Sequence, residues 1–322
     1  MAKSIAKRSL DDGESLSIRK GKPLLSRIYD QRYLLLMILP CIVWLIIFAY
    51  IPMGYIVIAF QNFRPARGVF GSDWVGLMWF QQLFTAPMAL RIIRNTLTIS
   101  FFNLIFGFSL PIILALMINE VRRKYYLKTV QTISYLPWFF SWVIVIGLFQ
   151  QLLAMDGGIV NTILGYLGIG PINFFGTPSL VLPMQFFTSV WRNIGFSAII
   201  YIAALSGINP ELHEAAMMDG AGRLRRIWHI NLPGIRPTIV ILFILASGGI
   251  MASNFDQLYV MRNDAILERV DVIATYVYHR LLTDITGFSF NTAVSLFTSV
   301  VNVILLLIVN FISKKVADES LF

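Results

Sequence analysis

The sequence predicts an all-α polytopic membrane protein with six transmembrane helices. Its 322 residues are 57% hydrophobic and only 13% charged, whereas soluble globular domains average about 45–50% apolar and about 25% charged residues. Several charge-free runs also exceed the roughly 20 helical residues that cross a bilayer core of about 30 Å. So little charge cannot cover a water-exposed surface of this size, and the long apolar runs therefore belong in lipid.

Six runs qualify as transmembrane helices, separated by charges or turn residues. They lie within residues 33–60, 95–119, 129–155, 180–205, 237–255 and 285–313. The first run follows a polar tail and is longer than the apolar core of a signal peptide, so we interpret it as a membrane anchor. The predicted organisation is an N-terminal tail (1–32), a six-helix transmembrane domain (33–313) with a large internal loop (206–236), and a C-terminal tail (314–322).

The basic residues indicate the orientation of these spans. Eighteen of the 26 lysines and arginines would lie on the side that carries both termini, in the two tails, in 122–128 and in 223–236. Cytoplasmic segments of membrane proteins carry this kind of excess, so both termini are expected in the cytoplasm. The net charge of +9 then reflects topology, and no nucleic-acid partner is expected.

The connections on the opposite side differ in character. A short amphipathic helix around Trp79 is expected at the lipid headgroups, where aromatic residues are enriched. Residues 157–179 are free of charge but rich in glycine and proline, so they are assigned to a connection outside the membrane with a short interfacial helix. Residues 262–287 form the most charged segment on this side, and both a docking surface and a solvated loop fit that charge.

The internal loop 206–236 contains a helix of its own. Asn209 is suited to cap free amides, Pro210 suits the first helical position, and Glu211 favours the positive end of the helix dipole. Gly220 provides the stop. About ten residues are too few and too charged to span a bilayer, so this helix either docks on another protein or lies on the membrane surface.

The same loop carries a long motif. Glu214-Ala215-Ala216 is followed after three residues by Gly220, and after nine more by Ile230-Asn231-Leu232-Pro233. This pattern resembles the EAA signature of ABC-importer permeases without a gap or a substitution, and Asp219 matches the common Asp-Gly form. The resemblance implies a MetI-like permease fold, in which the loop forms a coupling helix that enters a groove on an ATP-binding subunit. The residues to which it assigns ATPase coupling are Glu214, Ala215, Ala216, Asp219, Gly220, Ile230, Leu232 and Pro233.

The resemblance covers most of the chain, from about residue 33 to residue 311. Asn95-Thr96, Leu136-Pro137 and residues 158–161 resemble the carbohydrate-importing branch. Many sugar permeases carry a Thr-x-Gly-Gly-Pro segment after the fifth span, where this chain has YVMRND at 259–264. With FDQ at 255–257, this departure resembles the branch that handles oligosaccharides or polysaccharide fragments, including those with uronic acid, and it argues against a small sugar.

The family resemblance also implies a set of partners in the bacterial cytoplasmic (inner) membrane. These are a second permease subunit, favoured as a heterodimer, two ATP-binding subunits or domains, and an extracytoplasmic solute-binding protein. The remaining partners are the carbohydrate substrate and membrane lipid. No cofactor is expected on this chain, because ATP and Mg would be held by the ATPase. Transport would proceed by alternating access.

One arginine lies within a predicted span, and it is the strongest candidate for contact with the substrate. An ionised arginine at the bilayer centre costs about 2.5–3.5 kcal/mol on insertion scales, so it normally faces protein or water. Arg192 and Asn193 are therefore candidates for the translocation path, with Asp256 or a substrate carboxylate opposite Arg192; a structural ion pair or snorkelling is the alternative. Asn254, Asp256 and Gln257 offer donors and acceptors to sugar hydroxyls.

Catalysis and metal binding are not predicted. The histidines at 213, 229 and 279 form no His-Glu-x-x-His pattern, and Cys41 is the only cysteine. Gly21-Lys22 lacks the first glycine and the hydroxyl residue of a phosphate-binding loop, so ATP is expected on another chain. The alternatives are a secondary solute transporter, which needs inverted repeats or broken midplane helices and leaves the EAA-like loop unexplained, and a membrane-embedded enzyme.

Overall fold

The computed structural model describes residues 31–85, 87–121, 123–251, 254–283 and 287–317. These ranges are mostly helical, and their one strand pair is the antiparallel ladder of Gln61–Asn62 (β1) with Asp73–Trp74 (β2). The chain forms two compact units, Met1–Tyr55 and Ile56–Phe322. Most of the predicted N-terminal tail, the end of the C-terminal tail and the predicted start of the sixth span lie outside the described residues.

The helices are numbered here in chain order. They are α1 (Arg32–Phe60), α2 (Met78–Thr85), α3 (Pro87–Asn119), α4 (Lys124–Tyr135), α5 (Trp142–Leu152), α6 (Ile159–Tyr166), α7 (Val181–Ser206), α8 (Pro210–Met218), α9 (Arg223–Gly234), α10 (Arg236–Ser247), α11 (Phe255–Met261), α12 (Leu267–Val270), α13 (Ile273–Thr283) and α14 (Phe288–Ala317). Short 3-10 turns cover Pro65–Arg67, Leu136–Phe139 and Pro178–Leu180.

The described helices account for up to six membrane spans by their length and composition. α1, α3 and α14 are each long and apolar enough to cross a membrane alone. Three bent pairs supply the rest: α4 with α5, which meet at 105°, α7 with α8 at 73°, and α9 with α10 at 61°. The prediction of six spans is confirmed when each bent pair counts as one span.

The third span is broken, although the sequence predicts one run over 129–155. Pro137 has no N–H to continue a helix, the 3-10 turn ends at Phe139, and Phe140 is extended with φ −82° and ψ 139°. α5 then begins afresh, with the Ser141 hydroxyl accepting a hydrogen bond from the Ile144 N–H at 3.4 Å. Hydropathy reports which residues prefer lipid and not the direction of the backbone, so it does not reveal this bend.

The fifth span is also shorter than the predicted run 237–255. α10 ends at Ser247, where Gly248 and Gly249 follow, and glycine pairs weaken a helix. The Met251 N–H then donates to Asn302 Oδ1 of α14 at 3.0 Å. The polar candidates at 254–257 consequently do not end this span, but begin the separate short helix α11.

α9 continues through Pro233 and ends at Gly234. Proline cannot make the hydrogen bond to the residue four positions earlier. A π turn at Ile227–Asn231 directly precedes it, and this wider turn changes the hydrogen-bond register. The second half of the loop 206–236 is therefore a continuous helix that leads to α10.

The second unit is organised around α3 and α7, which run side by side in the same direction. Near their starts, Ile99 of α3 and Val181 of α7 share one hydrophobic cluster. Near their ends, Ala115 and Tyr201 share another. Gly195 lets α4 approach α7 closely, because a Cβ at this position would overlap the carbonyl group of Ser134. This approach sets the end of α4 against the middle of α7.

Candidate functional site

A cavity of about 470 Å³ lies between α3 and α7. It occupies the middle of the two helices, between the clusters that pack their ends. Its wall combines amide, hydroxyl and guanidinium groups with two indole rings, which is unusual in so apolar a protein. The polar and indole-bearing wall residues are Asn103, Trp138, Trp142, Ser189, Arg192, Asn193, Ser197 and Asn254.

Two tryptophans and two oxygen acceptors hold the Arg192 guanidinium. Its central carbon lies 4.8 Å from the ring centre of Trp138 and 4.7 Å from that of Trp142, distances at which a cation is attracted to the ring face. Nε donates to the carbonyl of Phe140 at 3.0 Å, and Nη1 donates to Asn193 Oδ1 at 3.0 Å. Because the break after α4 leaves the Phe140 carbonyl without a helical partner, Arg192 and the break stabilise each other.

Arg192 has no carboxylate partner in the described part of the chain. The ion pairs found there join Arg67 to Asp73, Arg91 to Glu268, and Glu120 to Arg223 and Arg226. Asp256, the partner that the sequence suggested, is exposed on α11 and does not line the cavity; it interacts with Arg192 electrostatically but not within the 4.0 Å of an ion pair. A guanidinium held by rings and neutral oxygens keeps its charge available to an anion.

A buried amide network lies behind the cavity wall. Gln257 is fully buried, and its Nε2 donates to the Gln185 carbonyl at 2.7 Å and to Thr188 Oγ1 at 2.8 Å. Asn254 Nδ2 donates to Gln257 Oε1 at 3.3 Å and to Ser189 Oγ at 3.4 Å. Gln257 thus orients Asn254 and does not itself line the cavity.

The structure therefore brings Arg192, Asn193 and Asn254 to one cavity, whereas Gln257 lies behind its wall and Asp256 does not line it. Trp138 and Trp142 were not predicted, because nothing distinguishes them among 25 phenylalanines and 7 tryptophans. A signal did exist for the polar side of α7, since spacings of three and four place residues on one helix face. Its members are Gln185, Thr188, Ser189, Arg192 and Asn193.

A second candidate site is the loop 206–236, at the end of the bundle where α3 and α7 finish. Its helix α8 begins as predicted, with Asn209 Oδ1 accepting from the Glu211 N–H at 3.0 Å and Pro210 in the first position. It also stops at Gly220 as predicted, where φ is +75°. Glycine adopts this left-handed conformation without the cost that a Cβ imposes.

The hydrogen bonds at the end of α8 explain the spacing of the motif. The Ala221 N–H donates to the Ala216 carbonyl at 2.8 Å, and the Gly220 N–H donates to the Met217 carbonyl at 3.1 Å. This pair of bonds is the Schellman motif, in which the left-handed residue lies four positions after the first accepting carbonyl. The separation of Ala216 from Gly220 in the sequence is therefore a requirement of the helix end, with Asp219 as the C-cap.

α8 presents an exposed surface that mixes apolar and acidic groups. Glu214 and Ala215 are exposed beside Leu212 and Met217, and Met218 is 89% exposed. The helix has nine residues, about 14 Å at the usual rise, so it cannot bury this surface by crossing the bilayer. Large apolar side chains that are exposed together indicate a contact surface.

The α9 part of the loop 206–236 is held against the spans by ion pairs and hydrophobic packing. Buried Arg226 places Nη2 3.9 Å from Glu120 Oε2 just beyond α3, and Arg223 Nε lies 4.0 Å from the same oxygen. Leu232 packs on the hydrophobic cluster that holds the ends of α3 and α7. A displacement of this loop would therefore be passed to both helices.

The remaining α9 residues with an assigned coupling role are Ile230 and Pro233. Ile230 lines a cavity of about 350 Å³ together with Ala216 and Asp219. Pro233 is exposed two residues after the end of the π turn. Within the described ranges, no group of three or more His, Cys, Asp or Glu residues could hold a metal ion.

Helices long and apolar enough for six spans, a polar cavity between α3 and α7, and an exposed helix α8 whose loop contacts those helices are the features of a membrane transport subunit. The chain belongs to the family of binding-protein-dependent transport system inner membrane components, whose model matches residues 107–318. It is thus an ABC-importer permease with the MetI-like fold, a transport subunit of the inner membrane and not a member of an enzyme family. This family assignment excludes the secondary transporter.

Known relatives resemble nearly the whole chain. The polygalacturonan/rhamnogalacturonan transport system permease protein YteP of Bacillus subtilis (strain 168) is 43% identical over 303 residues, which are 94% of each chain. A chain of a bacterial alginate ABC transporter, crystallised with a periplasmic protein that holds an alginate pentasaccharide, is 37% identical with a TM-score of 0.85, over 92% of this chain and 99% of that one. A chain from the crystal structure of a bacterial ABC transporter involved in the import of the acidic polysaccharide alginate is 39% identical, with a TM-score of 0.84 over 91% and 99%.

Proposed function

We propose that this chain is the permease subunit of a bacterial ABC importer for acidic polysaccharide fragments, those that contain uronic acid. The observation that carries the proposal is the Arg192 guanidinium, which lines the cavity and has no carboxylate partner among the described residues. Arginine suits carboxylates because its planar fork donates two parallel hydrogen bonds. The polygalacturonan/rhamnogalacturonan and alginate systems to which the relatives belong support the same substrate class.

The cavity residues have complementary roles in this proposal. Arg192 binds the uronate carboxylate, and Asn193 and Asn254 exchange hydrogen bonds with sugar hydroxyls. The ring of Trp142 accepts the apolar face of a sugar ring, whereas Trp138 is stacked on Phe196 at 4.3 Å and holds the guanidinium of Arg192. Gln257 positions Asn254 from behind, and exposed Asp256 meets hydroxyl groups at the edge of the path.

The loop 206–236 couples movement of the spans to ATP hydrolysis in a partner chain. α8 is the coupling helix, and its exposed residues Glu214 and Ala215 dock in the groove of an ATP-binding subunit that holds ATP and Mg. The Schellman end formed by Ala216, Asp219 and Gly220 sets the angle between α8 and α9. Ile230, Leu232 and Pro233 connect α9 to the spans, so closure of the ATPase pair opens the cavity to the opposite side by alternating access.

The proposed assembly contains a second, different permease subunit, two ATP-binding subunits or domains and an extracytoplasmic solute-binding protein. The test is purification of the complex from its native membrane under mild conditions, followed by uptake into proteoliposomes. We expect an ATP-binding subunit to co-purify, and trigalacturonate delivered by the solute-binding protein to enter only with internal ATP. Recovery of the chain without any ATP-binding subunit, or uptake without ATP, would contradict the proposed coupling.

Both termini and the loop 206–236 are proposed to face the cytoplasm, as the distribution of lysine and arginine favours. Single cysteines at two exposed positions, introduced after Cys41→Ser removes the only native cysteine, test this orientation. In intact cells a membrane-impermeant maleimide should label Asp73→Cys and leave Glu211→Cys unlabelled until the membrane is opened. The reverse pattern would invert the proposed topology.

A further inference from the structure

A second polar cavity, of about 240 Å³, lies at the distal end of the bundle, the end where α3 and α7 begin. Two arginines from different elements line it: Arg94 from the first turns of α3 and Arg269 from α12. Thr98 and Ser179 add hydroxyl groups to the wall. With the loop 206–236 in the cytoplasm, the distal end faces outward, where the positive-inside rule makes arginine uncommon.

The segment that carries Arg269 is fixed in place by a buried residue of α3. Asn95 Nδ2 donates to the Glu268 carbonyl at 2.9 Å and to the Asp271 carbonyl at 3.0 Å. The Thr96 hydroxyl also accepts a hydrogen bond from the Ile273 N–H at 3.0 Å. These bonds hold α12 beside the start of α3. As a result, Arg94 and Arg269 line the same cavity.

The acidic groups of this segment are already engaged. The Glu268 carboxylate pairs with Arg91 at 3.3 Å, and the buried Asp271 carboxylate accepts a hydrogen bond from Thr275 Oγ1 at 2.5 Å. No described Asp or Glu lies within 4.0 Å of the guanidinium of Arg94 or Arg269. The cavity thus holds two positive charges with no internal counter-charge.

We infer that this distal cavity is a carboxylate-binding site that receives a uronate of the incoming glycan before it reaches Arg192. Two arginines and the Ser179 hydroxyl provide donors for a carboxylate, and Thr98 Oγ1, which donates to the Arg94 carbonyl at 2.8 Å, can accept from a sugar hydroxyl. The same two helices line both cavities, and Leu182 at the distal one precedes Ser189 at the central one by seven residues, about 10 Å along the helix axis. Two uronates of one glycan can therefore occupy the two sites together. This inference depends on the proposed function and orientation.

The test compares trigalacturonate with its methyl ester, which has the same sugars without the charge. Uptake of each is measured in proteoliposomes that contain the complete transporter and its solute-binding protein, for the wild type and for Arg94→Gln/Arg269→Gln. We expect uptake of the acid to fall about tenfold or more, as the loss of hydrogen bonds to a charged group predicts, while uptake of the ester changes less than about twofold. Dividing the acid rate by the ester rate cancels differences in protein level.

The matched control is Arg64→Gln/Arg67→Gln, which removes two other exposed arginines that do not line the cavity. If this control lowers the acid-to-ester ratio as much, general attraction of the outer surface explains the effect and the site is refuted. An equal fall for acid and ester in the Arg94/Arg269 variant, with a higher half-saturating concentration of solute-binding protein, would assign the arginines to protein docking instead. An unchanged ratio also refutes the site. Wild-type protein that imports neither form would refute the proposed substrate itself.

Discussion

Replacing Gly220 with proline is expected to lower ATP-driven uptake about 100-fold while leaving the protein in the membrane. Gly220 has φ +75°, whereas proline fixes φ near −65° and would remove the hydrogen bond to the Met217 carbonyl. An incompatible proline costs about 3 kcal/mol or more, and about 1.4 kcal/mol corresponds to a factor of ten. The Schellman end of α8 would be lost, and with it the angle at which the helix is presented to the ATPase. Uptake and ATPase stimulation by the solute-binding protein measure the effect.

The matched control for this prediction is two residues away. Gly222 has φ −68°, which proline adopts freely, and space is open around both glycines. Gly222→Pro should therefore retain uptake within about twofold, since a proline compatible with the backbone changes stability by less than about 1 kcal/mol. Equal loss in both variants would show that the loop tolerates no proline, and equal activity would remove Gly220 from the coupling mechanism.

Replacing Arg192 with methionine is expected to reduce uptake of trigalacturonate by about 10–100-fold, the range that hydrogen bonds to a charged group support. Methionine fills a similar volume between Trp138 and Trp142 but cannot bind a carboxylate. It also leaves the Phe140 carbonyl without its donor, so some loss of thermal stability is expected. Initial uptake rates and the melting temperature of the purified complex measure the two effects separately.

Arg192→Lys separates charge from geometry at the same position. A lysine keeps the positive charge, but a single ammonium cannot reproduce the flat stacking and the forked donors of a guanidinium. We expect intermediate uptake of the acid and nearly normal uptake of its methyl ester. If the methyl ester is lost as strongly as the acid in both variants, Arg192 has a structural role at the helix break and does not contact the glycan carboxylate.

Features that depend on neighbouring residues were predicted well. The second, fourth and sixth spans appear as α3, α7 and α14, and the cap of α8 at Asn209 and its stop at Gly220 are as expected. A hydrophobic run or a helix cap is decided within a few residues of sequence. The positions at which spans bend were predicted poorly, because Phe140 is extended within an apolar run that has the composition of a continuous helix.

The site illustrates the same division. Arg192 could be recognised because a lone charge in an apolar span is conspicuous, yet its actual neighbours could not. Its hydrogen-bond partner Phe140 is 52 residues away in sequence. Buried Gln257 contacts Gln185, which is 72 residues away in sequence. The sequence suggested Asp256 as the partner of Arg192, and in the fold exposed Asp256 interacts with Arg192 electrostatically without an ion pair within 4.0 Å.

The sequence by itself determined the class of this protein, its six spans and the helix that carries the EAA-like pattern, because these follow from hydropathy, helix capping and the spacing of a local motif. Only the tertiary structure decided which polar residues share a cavity, which of them are buried behind it, and where two unpaired arginines meet at the distal end. These contacts depend on how α3, α4, α7 and α12 pack. Packing brings together residues that are far apart in sequence, and no local sequence pattern marks such pairs.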